Sequence, residues 1–106
     1  MTNCKINYSP KAVADLDTIY HYISTELNNP IAAKSTLKAI LDSIQKLDIF
    51  PNSGTDFCLP TGEQTIYKFL ISNNYLTFYH LQNQDVYVDR IIYGKRDYIK
   101  LLFPLN

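Results

Sequence analysis

The residues most capable of chemistry are concentrated in the last third of the chain. His80 can exchange a proton near neutral pH, and Arg90 and Arg96 can stabilise negative charge through their planar guanidinium groups. Lys95 and Tyr98 extend this set into a basic and aromatic cluster near the C-terminus. Such a cluster could bind phosphate or the carboxylates of a protein partner. The alternative interpretation is a solvated C-terminal tail, with His80 serving only as a structural residue of its strand.

No cofactor site is visible in the sequence. There is no Gly-rich phosphate loop, no His-x-x-x-His or Cys-x-x-Cys spacing and no recognisable Ser/His/Asp set, so we expect neither a metal nor a nucleotide cofactor. Cys4 and Cys58 are isolated thiols, and the polar start of the chain is not a signal peptide, which favours a reducing cytoplasm. No apolar run approaches the roughly 20 residues that span a bilayer, so we expect no membrane partner.

Length and composition predict one globular domain over residues 1–106. Hydrophobic residues make up 46% of the chain and glycine is scarce, which excludes a disordered or fibrous class. Ten basic and ten acidic side chains give a formal net charge of zero, so no overall field draws the chain onto nucleic acid. Any such contact must be local. Nine tyrosines suit interfaces, because each combines apolar area with a hydroxyl group.

Two amphipathic helices are predicted in the first half of the chain. Ser9-Pro10 and Asn29-Pro30 each combine an N-cap residue with a proline at the first helical position. Apolar residues then recur at spacings of three and four over residues 10–27 and 30–47, and the short link between the two runs predicts a helical hairpin. The residues predicted to be buried are Leu16, Ile23, Leu37, Ile40 and Ile44.

The remaining segments alternate in the manner of β-strands. A short strand is predicted within residues 4–8, a loop over residues 51–64, and three strands joined by tight turns over residues 65–71, 75–82 and 86–93. The fold class is therefore α+β in the order β-α-α-β-β-β, with the hairpin on one face of a mainly antiparallel sheet and the other face free for function. The adjacent apolar pair Ile91-Ile92 further indicates a β-bulge near Arg90 that would redirect its guanidinium.

Two stretches of the sequence resemble the RelE/ParE superfamily, the toxins of bacterial toxin-antitoxin pairs. They are Ile6-Asn-Tyr-Ser-Pro-Lys-Ala-Val-Ala-Asp-Leu16 and Arg90-Ile-Ile-Tyr-Gly-Lys-Arg-Asp-Tyr98, the latter after an aromatic-rich strand. With the order of elements between them, the resemblance covers nearly the whole chain. It implies a toxin neutralised by a cognate antitoxin in a hetero-oligomeric complex. The residues predicted to contact a partner are Lys68, Tyr93, Lys95, Arg96 and Tyr98.

The resemblance leaves two toxin mechanisms open. RelE-like members are metal-independent endoribonucleases that cleave mRNA on the ribosome, and the catalytic residues here would be His80, Arg90, Arg96 and Tyr98. Many of those members resemble one another in carrying an arginine where this chain has Leu76 and a histidine where it has Tyr93. ParE-like members are not enzymes and poison DNA gyrase by binding it. We favour the ParE-like mechanism; a third interpretation is an inert module that binds only antitoxin or DNA.

Overall fold

In the computed structural model, residues 4–94 are described and form two α-helices and five β-strands. A π-helical turn, Tyr22–Glu26, follows the first helix, and a 3-10 turn, Lys46–Asp48, follows the second. Within this range, no helix has the length and apolar character to cross a membrane. The elements in chain order are β1 (Ile6–Tyr8), α1 (Pro10–His21), α2 (Pro30–Gln45), β2 (Thr55–Cys58), β3 (Gln64–Ser72), β4 (Tyr75–Gln82) and β5 (Asp85–Tyr93).

Both helices begin where the sequence predicts. The side chains of Ser9 and Asn29 accept hydrogen bonds of 3.0 Å from the backbone N–H groups of Ala12 and Ala32, and a proline follows each cap. The first helical segment reaches about the predicted length, but its last turn is π-helical rather than α-helical. Asn28, with φ of 50°, then adopts the left-handed conformation that ends the segment.

The sheet has the strand order β1-β5-β4-β3-β2. β1 pairs with β5 in parallel and the other neighbours are antiparallel, which confirms the predicted mainly antiparallel sheet. The predicted loop over residues 51–64 is wrong in its middle, because Thr55–Cys58 form an edge strand on β3. Only Phe57 of that strand is buried, so its four residues lack the alternating pattern that marks longer strands in a sequence.

The main hydrophobic core lies between the helical hairpin and one face of the sheet. Ile23, Ile40 and Ile44 are buried as predicted, whereas Leu16 and Leu37 are half-buried at the margin of the core. The sheet contributes Tyr79, Val86, Val88 and Ile91. The hydroxyl of Tyr79 donates to the carbonyl of Pro51 and accepts from the backbone N–H of Gly54, which ties the segment before β2 to the core.

Within residues 4–94, no helix covers the opposite face of the sheet. This face carries a second cluster in which Phe57, Phe78 and Ile92 are buried, with the rings of Phe57 and Phe78 5.4 Å apart and edge to face. Alternate side chains of β3, β4 and β5 project to this face, and the unpredicted strand β2 adds Phe57. The aromatic residues of the cluster therefore bury one another.

A β-bulge interrupts the pairing of β4 with β5, as predicted near Arg90. Phe78 pairs with Arg90 while the next residue, Tyr79, pairs with Val88, so Asp89 is the extra residue. The insertion resets the alternation of side chains. Ile91 consequently lies in the main core and Ile92 in the second cluster.

Candidate functional site

A groove lies between the helical hairpin and the end of β5. Its volume is about 820 Å³, and both helices, the turn between β3 and β4, and β5 contribute to its walls. Apolar and aromatic side chains predominate, as is usual for sites that bind a partner segment or an organic ligand. Residues lining it include Tyr22, Ile23, Leu27, Tyr75, Ile91 and Tyr93.

The charged end of the groove is the ion pair between Asp15 of α1 and Arg90 of β5. Arg90 donates from Nε to Oδ2 at 2.8 Å and from Nη2 to Oδ1 at 3.0 Å, a two-point contact between the guanidinium and the carboxylate. The hydrogen bond to Asp15 raises the pKa of Arg90, so the guanidinium remains charged. No pattern in the sequence indicated that Asp15 would be the partner of Arg90.

Asp15 also satisfies the backbone of β5. Its Oδ2 accepts a 2.9 Å hydrogen bond from the N–H of Ile91. The edge strand β1 pairs with β5 only as far as Val88, so no strand of the described residues lies beside Ile91 on this side. The carboxylate of α1 therefore serves in place of a strand carbonyl, and it joins the helix to β5 where the groove begins.

His80 lies on the other face of the sheet in a pair with Asp89. Its Nδ1 is 2.6 Å from Asp89 Oδ2, and the two side chains keep 19% and 23% of their surface exposed. The imidazole stacks on Tyr87 with ring centroids 5.3 Å apart, and its edge contacts Tyr67. Burial raises the pKa of Asp89, and the hydrogen bond with His80 opposes that shift. When the carboxylate is ionised, Nδ1 carries the hydrogen between them.

This arrangement could support proton transfer. Nε2 of His80 has no hydrogen-bond partner within residues 4–94 and is not fully buried, so it can exchange a proton at the surface. The hydrogen-bond, ion-pair and ring contacts of His80 in that range are with Asp89, Tyr67 and Tyr87, and none is with a cation. Within residues 4–94, the His80–Asp89 pair thus provides an oriented base, but no cation in contact with His80 that could stabilise a phosphorane.

Within residues 4–94, the predicted site residues contact different partners. Arg90 is held by Asp15, and Lys68 donates from Nζ to Asp56 Oδ1 at 2.6 Å at the β2–β3 edge. Tyr93 lines the groove, with its ring 5.5 Å from that of Tyr75. Lys95, Arg96 and Tyr98 lie outside the described residues, so their roles stay predictions. Within residues 4–94, no group of three or more His, Cys, Asp or Glu could hold a metal ion.

The sequence analysis did not identify the residues that hold His80 and complete the groove. Asp89 and Tyr87 belong to a strand that was predicted correctly. Whether their side chains lie on the same face as His80 depends on the position of the bulge, which the sequence located only approximately. Tyr22 follows α1 as part of the π-helical turn, a feature with no sequence signal here. The only sequence feature that pointed to these ring contacts was the large number of tyrosines, and it did not indicate which rings would pack together.

Comparison with known proteins gives a consistent assignment. Residues 6–98 match the family model described as the ParE toxin of the type II toxin-antitoxin system, parDE. No curated protein matches the sequence. A chain from the chromosomal ParDE toxin-antitoxin system of P. aeruginosa is similar in structure, with a TM-score of 0.70 and 22% sequence identity over 87% of this chain and 97% of that chain. The YoeB dimer from Staphylococcus aureus gives a TM-score of 0.51 and 20% identity over 86% and 97% of the two chains. At these identities the structural likeness establishes the fold, which confirms the predicted α+β architecture.

Proposed function

Because this chain belongs to the ParE toxin family of type II toxin-antitoxin systems, we propose that it arrests growth by binding DNA gyrase rather than by cutting RNA. The observation that carries this choice is the engagement of Arg90 by Asp15. A nuclease would need that guanidinium beside the scissile phosphate and close to a proton-transfer group. Here the guanidinium of Arg90 is bonded to Asp15 of α1, whereas His80 is bonded to Asp89.

The cognate antitoxin is the second partner in this proposal, and the groove is its site. The walls are mainly apolar and aromatic, and Tyr22 and Leu27 of the lining are 52% and 56% exposed. An amphipathic segment that folds on contact could bury these side chains. Acidic groups on the same segment would suit the basic side chains predicted to contact a partner, Lys95 and Arg96.

RNA cleavage is the second candidate function, and the His80–Asp89 pair is the observation that favours it. A carboxylate that orients an imidazole through Nδ1 leaves Nε2 to act as a general base toward a ribose 2′-hydroxyl. The rings of Tyr67 and Tyr87 beside the imidazole could stack on bases. Because Asp15 holds Arg90, a second cation would have to reach the pair, and Arg96 is the predicted candidate.

The experiment that separates the two mechanisms uses purified protein in two assays. We expect inhibition of gyrase supercoiling, with trapped DNA breaks, and no ribosome-dependent cleavage of mRNA. His80→Ala should leave gyrase inhibition intact, as should the matched control His21→Ala at an exposed helix position. Ribosome-dependent cleavage that falls by about 10²-fold or more in His80→Ala, but not in His21→Ala, would establish the nuclease mechanism instead.

The antitoxin site is tested separately with exposed tyrosines. Tyr22→Ala removes a ring from the groove rim, and Tyr8→Ala removes a part-exposed ring outside the groove. We expect Tyr22→Ala to lower antitoxin affinity by roughly tenfold or more while toxicity persists, because a buried aromatic anchor is lost from the complex. Equal affinities of the two variants would exclude the groove as the antitoxin site.

A further inference from the structure

We infer that His80 is a positioning residue, whose bond to Asp89 stabilises the β-bulge that directs Arg90 to Asp15 and so shapes the charged end of the groove. The inference depends on the groove being the partner site proposed above only for its biological consequence. Its structural content is a coupling, through the bulge of β5, between the two ion pairs His80–Asp89 and Asp15–Arg90.

The register of β5 shows why the bulge matters. If the pairing of Tyr79 with Val88 continued regularly, Asp89 would face Phe78 and Arg90 would face Thr77, which is fully buried. The extra residue prevents this, and Ile91 takes the position opposite Thr77. A one-residue shift thus exchanges a charged side chain for an apolar one at the edge of the main core.

Within residues 4–94, side chains attach the bulged segment at three points. The carbonyl of Asp89 accepts a 2.8 Å hydrogen bond from Ser9 Oγ, and Asp15 accepts from both Arg90 and the Ile91 N–H. These two attachments come from α1 and its N-cap. The third is the 2.6 Å contact of the Asp89 carboxylate with His80, a side chain of the neighbouring strand β4.

The imidazole is itself held in place, which makes it an effective attachment. Its stacking on Tyr87 is close to parallel, with an interplanar angle of 14°, and Tyr67 meets it edge-on. A ring fixed on two sides loses little additional freedom when it binds the carboxylate. Removing the Nδ1 donor should therefore loosen the bulge rather than merely rearrange a surface side chain, and the effect should reach Arg90 and Ile91.

The test is hydrogen exchange followed by NMR on the free protein, at two protons that both lie on Asp15: the Nε–H of Arg90 and the amide of Ile91. His80→Leu removes the donor, whereas His80→Asn restores an N–H near the position of Nδ1. We expect both protons to exchange at least about tenfold faster in His80→Leu, because a charge-assisted hydrogen bond is lost, and near the wild-type rate in His80→Asn. The exchange rates of the α2 amides should not change in His80→Leu. The control His21→Leu, which removes an exposed contact with Asp17, should leave the exchange of both the Arg90 and the Ile91 protons at the wild-type rate.

Wild-type exchange at Arg90 and Ile91 in a folded His80→Leu protein would overturn the inference, and so would failure of His80→Asn to restore protection. If His80→Leu does not fold, His80→Phe keeps a ring on Tyr87 without the donor and carries the same expectation. All of these measurements use the protein without a partner. They therefore fail or succeed independently of whether the groove binds an antitoxin or the protein binds gyrase.

Discussion

The two faces of the sheet are stabilised in different ways. On one face the helical hairpin covers the strands, and its core residues Ile40, Ile44 and Leu47 have no exposed surface. On the other face no described helix packs, and the buried cluster is small and largely aromatic. The first face can bury aliphatic side chains completely, whereas the second must combine ring contacts with a polar pair, His80–Asp89, at its margin. The helix-covered face thus holds the larger aliphatic core, and the other face carries the His80–Asp89 pair at its margin.

Strand β5 belongs to both faces and joins them at the bulge. Before it, Val86 and Val88 face the helices; after it, Ile91 continues that role while Ile92 turns to the aromatic cluster. The groove and the histidine pair consequently share one strand. Substitutions on the two faces can be compared through the change in the free energy of unfolding. We expect the largest changes for residues on the helix-covered face.

Ile40→Ala tests the main core. Ile40 is completely buried between α2 and the sheet, so truncation should lower the free energy of unfolding by about 2–5 kcal/mol through lost apolar contact and a residual cavity. Chemical denaturation measures the change. Leu41→Ala, next along the helix and 40% exposed, should cost much less; equal costs for the two variants would contradict the assigned core.

Phe57→Ala tests the uncovered face. The ring is 7% exposed and meets Phe78 and Phe69 edge to face, so we expect a loss of about 2–3 kcal/mol, at or below the low end for phenylalanine in a full core. Denaturation of Phe57→Ala and of Ile71→Ala, at a 68% exposed site on β3, provides the comparison. A negligible effect of Phe57→Ala would mean that β2 does not stabilise this face.

Asp15→Ala tests the link between the two faces. Its carboxylate serves both Arg90 and the Ile91 N–H, and the side chains of the ion pair are only 16% and 19% exposed. We expect unfolding to become easier by about 2 kcal/mol, below the figure for a fully buried pair because some solvent reaches both charges. Asp17→Ala, in the exposed contact with His21, is the matched control and should change stability by less than about 0.5 kcal/mol.

Tyr79→Phe should have the smallest effect at neutral pH and a distinctive dependence on pH. It removes the hydrogen bonds to Pro51 and Gly54, for an expected loss of about 1–2 kcal/mol at pH 7. Burial raises the pKa of the Tyr79 hydroxyl above its ordinary value of 10.0. Stability linked to this proton is complete below about pH 10 and is lost as the pH rises through the folded-state pKa.

The difference between Tyr79→Phe and the wild type should therefore narrow in strongly alkaline solution, because only the wild type can ionise this side chain. Denaturant titrations at pH 7 and near pH 11 would show it. A difference that widens with pH would mean that ionised Tyr79 is better accommodated in the folded state than the burial of its ring implies.

Local signals in the sequence were sufficient for most of the architecture. Ser9-Pro10 and Asn29-Pro30 start the helices because capping and proline geometry act within one turn. The bulge was predicted near Arg90 from the adjacent isoleucines of β5, and it lies there. Ile91 and Ile92 themselves alternate regularly between the two faces, so the extra residue is Asp89 and not one of the pair. The site was less accessible. His80, Arg90 and Tyr93 were identified as candidates, but Asp15 and Asp89, which determine what the first two can do, were not.

What the sequence determined by itself is thus a matter of near neighbours: helix starts, strand alternation, the turns between β3, β4 and β5, and membership of a toxin family. What only the tertiary structure decided involves residues far apart in the chain. β2 becomes a strand because β3 supplies its hydrogen-bond partners, and Arg90 pairs with a carboxylate 75 positions away. Such contacts depend on how the apolar faces of two elements pack together. The hydrophobic pattern of one segment does not indicate which distant polar group will lie next to it. The sequence shows that Arg90 carries a charge. Which group that charge binds depends on the packing of α1 against β5, which brings Asp15 to the guanidinium.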